Sequence, residues 1–127
     1  MPDQLEPMLV QAHQRQRQAS IQTAGVLREQ AFSADEIWVG IVTTEPWEMS
    51  AWHHHGDHHT YAYLVSGLKR IEYGPGGNQS IVARPDDFIY LPKGLVHREG
   101  NPSGEVSRSI AFRLGTGPAT INVEAPS

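Results

Sequence analysis

The chain has 127 residues, no cysteine, and a formal net charge of −4 from 10 basic and 14 acidic side chains. That length suits one domain with its own core. The lack of cysteine excludes thiolate metal sites, thiol nucleophiles and disulfides, and the acidic balance leaves no broad basic face for nucleic acid. No apolar run approaches a membrane span, and the opening Met1-Pro2-Asp3-Gln4 lacks the charged-then-apolar order of a secretion signal, so no membrane partner and a cytoplasmic location are expected.

Residues 1–20 are rich in Gln and Arg, as in Gln14-Arg15-Gln16-Arg17-Gln18, and are read as an N-terminal arm or edge element ahead of a domain at 21–127. Residues 37–43 are β-branched and aromatic and are closed by Pro46. Five of the seven histidines follow within residues 53–59. Residues 61–65 stop at Ser66-Gly67, and 68–73 run to the turn cluster Gly74-Pro75-Gly76-Gly77-Asn78. Residues 80–83, 88–91 and 106–114 complete the series, the last two ending at Pro92 and Gly115. Short strands divided by Gly, Pro, Asn and Asp, with no helical periodicity between them, predict an all-β sandwich or barrel.

The histidine run is broken by Gly56-Asp57 and lies between strand-like segments, unlike a purification tag. In a strand, residues two apart share a face, so His53 and His55 project together while Trp52 and His54 face away. Two imidazoles side by side form half of a metal site, and a third must come from another strand. His97 is the only histidine in the second half of the chain, after the strand end and turn Leu91-Pro92-Lys93-Gly94. His13 and His54 are read as ordinary surface or hydrogen-bonded residues.

Two segments resemble the motifs of the cupin superfamily. The first is His53-x-His55, with Thr60 at the place of the motif Glu and Gly67 six residues further on. The second runs from Asp86, at the place of a motif Gly, through Pro92-x-Gly94 to His97 and Asn101. The resemblance implies a double-stranded β-helix, or jelly roll, with a metal inside the barrel mouth. Thr60 in place of Glu points to an all-histidine ligand set, as in the three-histidine cupin oxygenases. Strand parity counted back from Thr60 favours His58 over His59 as a fourth ligand, with a polar loop as the alternative for both. The expected ligands are therefore His53, His55, His58 and His97.

Neutral imidazoles suit one divalent transition metal, with iron first and copper, nickel, zinc or manganese as alternatives. Such a metal keeps its full charge and should attract a small organic anion. The expected function is a metal-dependent, dioxygenase-like enzyme. A non-catalytic binding cupin, and an isomerase or epimerase using His58 or His59 as a base, stay open as alternatives. Trp38, Trp47, Tyr61, Tyr63, Arg98 and Arg113 are candidates for the site wall, although such residues more often serve packing or solvated surface. Exposed sheet edges would suit a homodimer.

Overall fold

The computed structural model describes residues 5–127, so the opening tetrapeptide read for a signal lies outside the described residues. The strands in chain order are β1 (Leu27–Ala34), β2 (Ile37–Thr44), β3 (His53–His54), β4 (Asp57–Ser66) and β5 (Lys69–Tyr73). They continue as β6 (Gln79–Ala83), β7 (Phe88–Leu91), β8 (His97–Gly100), β9 (Ser107–Thr116) and β10 (Ile121–Asn122). One sheet runs β1-β2-β9-β4-β7 and the other β10-β3-β8-β5-β6. All pairings are antiparallel. This is the expected all-β jelly roll. Among the described residues, helical structure is limited to three-residue 3-10 turns, and no helix is long and apolar enough to cross a membrane.

Alternation along the strands sets what enters the barrel. β2 turns Trp38, Gly40, Val42 and Thr44 inward, β4 turns His58, Thr60, Ala62 and Leu64, and β9 turns Ser107, Ser109, Ala111 and Arg113. An apolar cluster of Ala62, Leu64, Ile71, Ala83, Ile89 and Leu91 fills one part of the interior, and Val26, Trp38, Val42 and Ala111 form a second. Much of the remaining interior is polar or charged.

The sequence did not announce β1. Its opening Leu27-Arg28-Glu29-Gln30 lacks alternation because Arg28 and Glu29 are both buried, ahead of a register shift between Gln30 and Phe32. The Gln/Arg arm lies along this strand. Gln16 and Gln30 exchange backbone hydrogen bonds of 2.9 and 2.7 Å, and Arg15 and Arg17 pair with Glu29 at 3.4 and 3.2 Å.

Two turns explain the motif positions. Gly67 has φ +70°, and a Cβ there would lie 2.7 Å from the Ser107 Cα, so the turn needs glycine. Asp86 has φ +79°, a left-handed conformation that Asp tolerates better than most side chains. Asn101 is structural: its Nδ2 donates to the carbonyls of Thr44 and Glu105, and its Oδ1 accepts from Ser103.

Candidate metal centre

His53 on β3 stands directly opposite His97 on β8. His55 follows just beyond the end of β3 and returns to the same face. One ligand nitrogen from each of the three lies within 4.8 Å of the others, and all three residues are buried.

The second nitrogen of each ring shows how the first is aimed. Nδ1 of His53 donates to the Ala51 carbonyl at 2.9 Å, that of His97 to Leu95 at 2.9 Å, and that of His55 to Ala119 at 2.8 Å. A carbonyl oxygen can only accept, so each Nδ1 carries the proton and each Nε2 presents a lone pair. Burial drives the His53 pKa down to about 4 against the opposing pull of Glu99. Burial, and after it the charge of Arg113, holds His55 well below the usual range. Both rings are therefore neutral near pH 7, the form that coordinates metal.

Nε2 of His55 and of His97 is buried without a hydrogen-bond partner. Nε2 of His53 accepts from Arg28 Nη2 at 3.0 Å. Buried lone pairs left unpaired are costly, and a shared cation is the group that satisfies them together. The residues thus fit a divalent metal.

His58 does not join this group. Parity is as expected, since His58 is buried and His59 less so. However, the His58 Nδ1 donates to the His55 carbonyl at 3.0 Å, and the ring lines a neighbouring cavity of about 460 Å³ with Trp38, Gln30 and Ala119. His59 is hydrogen-bonded to the Tyr90 hydroxyl, and His54 accepts from the Gly56 amide in the turn.

The surroundings are charged. Glu99 is 2 % exposed and lies 3.5 Å from His53 Nε2 and 3.6 Å from His97 Nε2, while its other oxygen pairs with Lys69 at 2.7 Å. Burial pushes the Glu99 carboxyl up, but the Lys69 ammonium beside it outweighs this and the group is held well below the carboxylate range. Arg28 is fully buried, and its Nη1 donates to the Ile21 carbonyl and the Thr23 hydroxyl. Arg113 stacks over Trp38 at 4.6 Å, with Nε and Nη1 unpartnered. Burial and then Arg28 lower its pKa to about 9, which leaves it charged at pH 7. Thr60 faces Arg113 across β4 and β9, and its hydroxyl is also buried without a partner.

Of the wall candidates, Arg113 and Trp38 are therefore interior. Trp47 is 71 % exposed, Tyr61 is exposed, and Tyr63 bonds to Asp86. Arg98 pairs with Glu72 and stacks on Trp52. Sequence reasoning missed Glu99, Lys69 and Arg28. Glu99 carried a usable signal, because it follows His97 by two positions on one strand, the same spacing that joins His53 to His55.

A search of curated protein sequences gives no match. Among solved structures, oxalate decarboxylase from Bacillus subtilis is similar over 84% of this chain, with 23% identity and a TM-score of 0.68. The chain spans 30% of that protein's length. An uncharacterised double-stranded β-helix protein from Klebsiella pneumoniae superposes over 94% of this chain and 99% of its own, with 15% identity and a TM-score of 0.73. The cupin domain of Schizosaccharomyces pombe Cnp3 matches 76% of this chain and 66% of its own at 11% identity and a TM-score of 0.65. At these identities the likeness is one of fold. The sequence profile of the cupin domain matches residues 40–111, a stretch holding both motifs and the three converging histidines, and the chain belongs to the cupin family.

Proposed function

We propose that the protein is a metal-dependent cupin in which His53, His55 and His97 hold one divalent transition metal, iron first, and present it to a small organic anion for oxygenase-type turnover. The observation that carries this reading is the convergence of three Nε2 lone pairs, each fixed by an Nδ1 hydrogen bond to a carbonyl. When bound, the metal supplies a Lewis acid in a water-poor pocket. The chain supplies the rest. Arg28 and Arg113 put two buried guanidinium groups beside the imidazoles, and the Nε and Nη1 donors of Arg113 have no hydrogen-bond partner among the described residues. A carboxylate or enolate would receive those donors, and the Thr60 hydroxyl could add one more. Manganese also enters the comparison, because the oxalate decarboxylase similar to this fold is described with Mn(II) centres.

A second reading rests on His58. Its Nδ1 is fixed on a carbonyl, so its Nε2 lone pair is free to act as a proton acceptor beside the cavity, as an isomerase or epimerase would need. Elemental analysis of untagged protein, followed by oxygen uptake with small keto and phenolic acids, separates the two. One iron or copper per chain with substrate-dependent uptake supports the oxygenase. Zinc or nickel without uptake moves the assignment to His58. A folded protein that takes up no divalent metal overturns the metal-dependent reading.

A further inference from the structure

Among the described residues, Glu99 is the one acidic side chain whose oxygen lies against the histidine nitrogens, and the site described above gives it no task. It is placed by the strand itself. His97 and Glu99 are two residues apart on β8 and both are buried, and His53 is the direct cross-strand partner of His97. The three side chains therefore reach one face of one sheet. The Oε2 atom sits 3.5 Å from His53 Nε2 and 3.6 Å from His97 Nε2.

The protons decide what those distances mean. Both imidazoles spend their N–H on backbone carbonyls, so their Nε2 atoms offer lone pairs toward an oxygen that is itself an acceptor. Arg28 donates toward His53, but no hydrogen-bond donor reaches His97 Nε2. Two acceptor atoms face each other with no hydrogen between them, which is repulsive unless a cation sits among them. The spacing of 3.5 and 3.6 Å is also a few tenths of an ångström above that of co-ligands. Two donor atoms each about 2.1 Å from one metal lie about 3.0 to 3.4 Å apart for octahedral or tetrahedral angles.

Lys69 explains why Oε2 alone is free. Its ammonium takes Oε1 at 2.7 Å, fixes the carboxylate plane, and balances its charge inside the barrel. Thr60, the residue standing where the family motif has Glu, is on β4 in the facing sheet. We infer that Glu99 is a fourth, single-oxygen metal ligand, supplied from the strand of His97 in place of the carboxylate that Thr60 lacks. The inference rests on the three-histidine reading and adds a member to that set.

Glu99→Gln and His97→Ala should be loaded separately with Mn²⁺ and Cu²⁺, with affinity measured by chelator competition and folding by thermal melts of the metal-free proteins. Oxygen ligands matter most to Mn²⁺, whereas imidazoles suffice for Cu²⁺. Glu99→Gln should weaken Mn²⁺ by about 100-fold and Cu²⁺ by about 10-fold or less, the scale of losing one of several donors. Equal loss of both metals, or no loss of either, overturns the role of Glu99 and leaves the histidine site standing. Wild-type binding in His97→Ala overturns the histidine site itself. Should Glu99→Gln fail to fold, Lys69→Met decides. Removing the ammonium frees the carboxylate that it orients, so Mn²⁺ should bind about 10-fold more weakly while Cu²⁺ changes little, and an unchanged Mn²⁺ affinity, or an equal loss of both metals, overturns the inference.

Discussion

Strands β3, β5 and β8 bring His53, Lys69, His97 and Glu99 inward, whereas β1, β4 and β9 of the facing sheet bring Arg28, Thr60 and Arg113. On the first wall the free valences are mostly lone pairs; on the second they are mostly N–H and O–H groups. A cation is at home against one and an anion against the other. On the proposed reading, holding a metal and attracting its anionic ligand fall to separate sheets, so each can be damaged alone.

The sharpest break comes from the lone-pair wall. Replacing His53, His55 or His97 singly by Ala removes one of three converging donors, and metal per chain should fall from one to near zero after dialysis. His54→Ala, whose ring serves the Gly56 turn, should keep its metal.

Acid should damage the same wall even without metal. The His53 pKa is about 4 in the fold against a usual 6.5, so between these values the unfolded chain binds more protons and stability rises with pH. Metal-free protein should hold this contribution above pH 6.5 and lose on the order of 3 kcal/mol by pH 4, with His55 adding in the same direction. Urea unfolding across that range checks it, and a flat profile would mean that the rings are not buried as neutral groups.

The donor wall is broken by Arg113→Met. Metal content should stay the same, while a small dicarboxylate such as malonate should bind about 10- to 100-fold more weakly to the loaded protein, the scale of a lost charged hydrogen bond. The melting temperature of the metal-free variant should not drop, because the change removes a buried guanidinium with two unpartnered nitrogens. Calorimetric titration and thermal melts read both. The smallest effect belongs to His58→Ala, which loses one hydrogen bond, worth about 1 kcal/mol, without changing metal content.

The lone-pair wall was largely legible in the sequence and the donor wall was not. His53, His55 and His97 stood out because histidine is scarce elsewhere and strand parity relates the first two. Gly67, Pro92 and Asn101 fixed the turns around them. The same parity put His58 inward correctly, but facing inward is not reaching the metal, and depth along β4 is not encoded in parity. Arg28 was hidden because a charged pair at the head of a strand looks like solvated surface. Glu99 was hidden by the ordinary expectation that Glu is exposed, although its distance from His97 in the chain was available.

The hydrogen bond from His55 to the Ala119 carbonyl ties a metal-binding ring to the tail of the chain. That tail is held by a ladder of two pairs, Ile121 to His54 and Asn122 to His53, with Asn122 also bonded to Thr23 and Gln22, Val123 donating to the Trp52 carbonyl and Gly76 donating to the Ser127 carbonyl. A ladder so short opens far more often than the barrel unfolds. With His53 and His97 fully buried, an opening of this segment would give an ion a path to the rings. Ion exchange then becomes a first-order process whose rate levels off as competing chelator is added. The residence time of the metal then reflects both how often this segment opens and how strongly the ion is held.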